Sequence, residues 1–150
     1  MEHSFKMKKS KLLLLLSVMA LPLCGCNDLF ETAVDGSFYA GHYQLDHATE
    51  KKYHIAWNMK TLISESEIMK SCSFVINADK SVEFTDHEGK VTKGRVKCFE
   101  KYVRFIGTPL DRSHEYHVGY DKSLTYSYES KHMSAEYDVT YRSIMFKKVS

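Results

Sequence analysis

The side chains that could do chemistry are few and scattered. Among eight histidines, only His114 and His117 are spaced closely enough to suggest a metal pair. Residues three apart on a strand point to opposite faces, so this pair works only if the chain is irregular at His114. A solvated surface pair is the better reading. Glu65 and Glu67 would form a carboxylate pair only in an extended segment. Serine, histidine and aspartate are all present, but no G-x-S-x-G elbow presents a nucleophile. HExxH, a four-ligand cluster and a phosphate-cradling glycine loop are also missing from the sequence. The sequence therefore predicts no catalytic residue, no metal and no cofactor beyond a covalent lipid.

Aromatic content points elsewhere. The chain has ten tyrosines and one tryptophan. A tyrosine joins a rigid apolar ring to a polar tip, and a fully buried hydroxyl must find a partner. The segment from Tyr116 to Tyr141 holds more tyrosine than a core needs. Tyr116, Tyr120, Tyr126, Tyr128 and Tyr137, with Trp57, are the expected ligand or partner face, either as an exposed surface or as the lining of a cavity mouth.

The start of the chain says where such a body would reside. Lys8, Lys9 and Lys11 precede an apolar run from Leu12 to Leu23. That run is shorter than the about 20 residues a membrane-spanning helix needs, so it reads as a removable export signal. Either Met1 or Met7 could begin it. Leu23-Cys24-Gly25-Cys26 then resembles the lipobox of bacterial lipoproteins. The resemblance implies cleavage after Gly25, a diacylglycerol on the Cys26 thiol and a further acyl chain on the new amino group. Two or three chains hold firmly, since each buried methylene contributes about 0.8 kcal/mol. Asn27 follows the cysteine where an inner-membrane retention signal would have aspartate, so the outer membrane is the expected destination. The expected organisation is a signal at 1–25, a lipidated tether at 26–37 and a folded domain at 38–150.

Setting aside the four lysines and Glu2 of residues 1–25 leaves 17 basic and 18 acidic groups, from totals of 21 and 19. Such a body has no positive field to hold a nucleic acid. Export into an oxidising compartment makes a bridge between Cys72 and Cys98 the expected state, with two buried free thiols as the alternative. A bridge closing a loop of this length would stabilise by about 3–4 kcal/mol in the chain-entropy view.

From Phe38 onward, runs of five to nine residues rich in Tyr, Phe, Val and Ile alternate with turn-prone residues. The pattern predicts strands at Phe38–Leu45, Lys51–Asn58, Ser73–Asn77, Ser81–Thr85, Val91–Phe99, Tyr102–Ile106, Glu115–Tyr120, Leu124–Ser130, Ala135–Tyr141 and Ser143–Val149. Tyr53, Ile55 and Trp57 share a parity, as do Tyr137, Val139 and Tyr141, which marks sheet with unlike faces. Met59, Leu62, Ile63 and Met69 have nearly helical spacing, so a short helix or lid is expected near 59–71, with an edge strand as the alternative. About 8–10 short antiparallel strands must protect their edges, and closure into an all-β, up-and-down barrel does so.

Gly41-His42-Tyr43, the Phe74-to-Asp79 hairpin followed by Ser81-Val82-Glu83-Phe84, and the ending Tyr141-Arg142 with Phe146-Lys147-Lys148-Val149 resemble elements of lipocalin-like bacterial lipoproteins. The lysozyme-inhibitor lipoproteins are of similar size, but their Ser-Gly-x-x-Tyr loop motif is not found here. The resemblance implies a non-catalytic module anchored to the bilayer, holding a small apolar ligand or an envelope protein. An accessory role in an envelope complex, or an inhibitor or immunity role, is the alternative.

Overall fold

The computed structural model describes residues 32–110, 114–132 and 134–150. The chain divides into Met1–Thr32 and Ala33–Ser150, and the second unit holds the sheet. Its strands are β1 (Gly41–Ala56), β2 (Met59–Glu67), β3 (Ser73–Ile76), β4 (Ser81–Thr85), β5 (Val91–Cys98), β6 (Tyr102–Ile106), β7 (Tyr116–Val118), β8 (Leu124–Glu129) and β9 (Glu136–Lys148). Every pairing is antiparallel, and β9 returns to β1. Eight strands therefore close a barrel, as the alternation predicted, and β2 lies outside the ring.

The barrel is filled by rings and branched side chains. Phe74 stacks on Tyr43 at 5.0 Å between ring centroids and meets the edges of Phe105 and Phe146 at 4.9 and 4.8 Å. Ile76, Val82, Val103 and Leu124 complete the same buried cluster. Buried hydroxyls find partners, as they must: Tyr43 Oη donates to the Tyr39 carbonyl at 2.7 Å, and Tyr39 Oη donates to the Phe99 carbonyl. Burial first, and the neighbouring Cys98 second, push the Tyr43 hydroxyl up to about 12.

One end of the barrel receives the chain. Ala33 bridges Phe99, and the Val34 N–H donates to the Cys98 carbonyl. The Asp35 side chain then caps a 3-10 turn over Gly36–Phe38. Gly36 lies so close to the Ala78 carbonyl that a Cβ there would collide with it. The region read as tether is thus part of the folded unit from Ala33 on. The turns Asn77–Lys80 and Gly119–Lys122 close the same end with one design. In each, an aspartate, Asp79 or Asp121, accepts the N–H of the serine two residues on.

Two expectations are corrected. The helix expected near 59–71 is the strand β2. Helical spacing of its apolar residues loses to a two-residue turn that returns the chain along β1, with Ala56 opposite Met59 and Thr49 opposite Glu67. Cys72 and Cys98 are both buried and free rather than bridged. Both side chains are buried in the core cluster, but register separates them. Ser73 pairs with Thr85, which pairs with Val91 at the start of β5, while Cys98 ends that strand. The length of β5 is roughly 24 Å, far beyond the reach of a disulfide.

The strand pairs drawn separately at 38–45 and 51–58, and at 135–141 and 143–149, are each one long strand. β1 has 16 residues and β9 has 13, against 3 to 8 in β3–β8. The surplus length runs past the mouth of the barrel and carries β2 with it.

Candidate functional site

The projection is a three-stranded sheet of β2, the second half of β1 and the first half of β9. Its polarity is inverted relative to the barrel. Leu45, Ala48 and Glu50 of β1 pair with Phe146, Ile144 and Arg142 of β9 on the barrel's inward parity. Beyond the mouth that parity becomes charged. Arg142 Nε donates to Glu50 at 2.7 Å, and Lys52 and His54 follow along β1. The opposite, outward parity becomes apolar, bringing Tyr53, Ile55, Tyr137, Val139 and Tyr141 together with Leu62. Tyr53 and Tyr141 meet edge to face at 5.6 Å, and Lys60 Nζ lies 4.2 Å from one ring centre and 4.5 Å from the other. Such cation–ring contacts hold the lysine stem flat across apolar surface.

On the charged parity, His54 Nδ1 contacts Asp138 at 2.7 Å and Nε2 contacts Glu136 at 2.9 Å. Only a doubly protonated ring can donate to both carboxylates. The hydrogen bond to Asp138, then that to Glu136, raises the imidazole above its ordinary range. The cluster ties β1 to β9 near the tip.

The tip itself is costly to form. Trp57 (φ 51) and Asn58 (φ 64) are both left-handed, the requirement of a two-residue hairpin turn that favours Asn-Gly. A bulky ring in that region costs about 1–3 kcal/mol. Trp57 is nonetheless 89% exposed, so its ring recovers little of this by burial. All nine residues of β2 are exposed, including Met59, Leu62 and Ile63. One edge of β2 pairs with β1, and no strand among the described residues pairs with the other. Ile63 is passed over in the register, where Tyr53 pairs with Leu62 and Lys52 with Ser64. Bulges and charges of this kind are how edge strands resist indiscriminate pairing.

The predicted aromatic face does not assemble. Tyr116 is buried in the core beside Phe105, and Tyr126 is partly buried under the stacked ring of His114 at 3.8 Å. Tyr120 is fully exposed on the turn at the chain-entry end. Tyr128 lies near Arg142, which is 5.4 Å from its ring centre, and Tyr137 is on the outward face of the projection. Only Tyr137 and Trp57 therefore belong to the projection. Of the residues that complete it, Tyr53 and Val139 were visible in alternating runs, and Leu62 and Ile63 only as apolar residues at helical spacing.

His117 points outward toward Glu115 at 3.5 Å, and Glu115 also pairs with Arg104. Glu115, His117, Thr125, Tyr126 and Ser127 line an open groove of about 530 Å³. Glu65 pairs with Lys51 at 3.6 Å on exposed surface, and Glu67 is exposed two residues on. Among the described residues no three histidine, cysteine or carboxylate side chains cluster to hold a metal ion. No described helix is long and apolar enough to cross a membrane. Cys26 lies outside the described residues.

In comparison with known proteins, no family model, no curated protein and no solved structure matches the chain.

Proposed function

We propose that this chain is a lipid-anchored, non-catalytic binding module of the cell envelope that takes up a strand of a protein partner along β2. The observation carrying the proposal is the nine-residue exposed edge, with Met59, Leu62 and Ile63 unburied beside an outward apolar face. Main-chain groups along such an edge supply affinity, and the apolar side chains supply selectivity. A protein strand is favoured over a small apolar ligand because rings occupy the barrel interior and Trp57 lies on the hairpin tip rather than at a cavity mouth.

The anchor in this proposal is acylated Cys26, with the outer membrane as its destination. The folded unit begins at Ala33, on the barrel end opposite the hairpin, so the lipid would leave the hairpin pointing away from the bilayer. β1 runs its 16 residues from one end to the other, about 50 Å of strand. The acyl lipid is then the covalent attachment that holds the chain in the bilayer, and an envelope protein is the partner bound reversibly.

Replacing Trp57 with glycine tests the division between folding and binding. Glycine relieves the left-handed tip, so the variant should be as stable as the native chain or more stable by about 1 kcal/mol. Binding to the envelope partner should nevertheless weaken. Loss of stability with binding intact would remove the tip from the recognition surface.

A further inference from the structure

The open edge of β2 is complementary to itself, and we infer that its occupant is β2 of a second copy of this chain. The inference rests on the edge reading above and names the partner. In an antiparallel pairing about a twofold axis, each residue meets one at a fixed sum of sequence numbers. Opposite residues must also lie on the same face. The bulge decides the parity of that sum for pairs that span it, and chemistry chooses among the sums left.

Lys60 and Leu62 share a face with Glu65 and Glu67, because these pair with Ile55, Tyr53, Lys51 and Thr49 of β1. Met59, Thr61, Ser64 and Ser66 share the other face, opposite Ala56, His54, Lys52 and Glu50. Without the passed-over Ile63, Lys60 and Glu65 would lie on opposite faces and could not meet. With it, a register centred between Leu62 and Ile63 keeps every flanking pair on a common face.

That register also matches chemistry. Lys60 of each copy meets Glu65 of the other, so opposite charges pair twice. Thr61 meets Ser64, and Leu62 meets Ile63. Beyond the strand ends, Trp57 of one copy reaches the level of Ile68 of the other. Trp57, Leu62, Ile63 and Ile68 are all exposed large apolar residues of this hairpin and its exit. Of the apolar residues, only Met59 meets a polar one, Ser66. Shifting by one residue in either direction puts strand residues of opposite faces together and separates Lys60 from Glu65. The resulting six-stranded sheet would keep the outward apolar faces of both copies on one side and the His54 clusters on the other.

The decisive experiment uses the full, lipidated chain in detergent micelles, with sedimentation and oxidative cross-linking as readouts. The native chain should dimerise. Lys60→Glu should weaken the dimer by tenfold or more, since two attractive cross-strand pairs become repulsive. Lys60→Glu combined with Glu65→Lys should restore it, which a merely misfolded variant would not do. Chains carrying Thr61→Cys, mixed with chains carrying Ser64→Cys, should cross-link, whereas neither alone should exceed the native background. A native chain monomeric at every concentration, a charge swap that does not restore, or equal cross-linking of each cysteine variant alone would overturn the inference. If the chain is monomeric but Trp57→Gly still abolishes binding to an envelope protein, the second copy is excluded while the edge reading stands.

Discussion

Replacing Phe74 with alanine tests whether the barrel is a packed core or a ligand chamber. Phe74 is 1% exposed and contacts Tyr43, Phe105 and Phe146 at centroid distances of 5.0, 4.9 and 4.8 Å. Removing a ring so enclosed costs its transfer free energy plus the cavity left behind, typically about 3–5 kcal/mol. The three aromatic neighbours are wedged from several strands and cannot all collapse inward, so a value near 4 kcal/mol is expected. A domain of this size has about 5–15 kcal/mol in all, so the variant remains folded but fragile. With a urea dependence of about 2 kcal/mol per molar, the unfolding midpoint should fall by about 2 M with little change in slope. Urea titration followed by far-ultraviolet circular dichroism measures this directly. A loss below about 1 kcal/mol would mean that the interior has slack, and the preference for a protein partner over an enclosed ligand would fail.

The remaining predictions concern the thiols, the His54 cluster and orientation. Cys72 and Cys98 should resist alkylation in the folded protein and both react after unfolding without reductant, because both are buried and free; burial holds the Cys72 thiol up at about 11. Nuclear magnetic resonance titration should place His54 above the ordinary histidine value of about 6.5, and Asp138→Asn should bring it down. Because its folded value is raised, its contribution to tip stability is complete below about 6.5 and is lost as pH rises through the raised value. Amide protection across β1 and β9 near the tip, taken relative to the intrinsic exchange rate at each pH, should therefore fall on that rise, and a pH-independent protection would refute the charged cluster. In vesicles containing brominated lipid, Trp57 should escape quenching in the lipidated chain. A Tyr120→Trp substitution in a Trp57→Phe background should be quenched, since Tyr120 is at the chain-entry end.

Two short strands between turn residues were legible to the residue. Ser81–Thr85 and Tyr102–Ile106 have the bounds their sequence predicts, because Asp79-Lys80 and Glu100-Lys101 interrupt the apolar pattern on the near side. β1 was not legible as one strand. Polar Asp46 and Glu50 resemble a break, yet no proline interrupts the run, and a bulge between Leu45 and His47 absorbs the irregularity while β9 pairs along it. β2 was misread because its apolar spacing is a local property, whereas its conformation is set by the long edge of β1. Parity identified which residues share a face, including Tyr53 with Ile55 and Tyr137 with Val139. It could not say that this face turns outward once the strands leave the barrel, since inward and outward depend on where the ring closes. The thiol pair was misplaced for a related reason: both side chains are buried, but Cys72 lies by the Val91 end of β5 and Cys98 at the other.

The most direct measurement places a photoreactive residue at Ile63 of the full chain in its native envelope, with one at exposed Glu83 of β4 as the control. The edge assignment predicts discrete adducts from position 63, either with a second copy or with one envelope protein, and none from position 83. Equal labelling from both positions, or none from position 63 while the chain remains folded and exported, would contradict it.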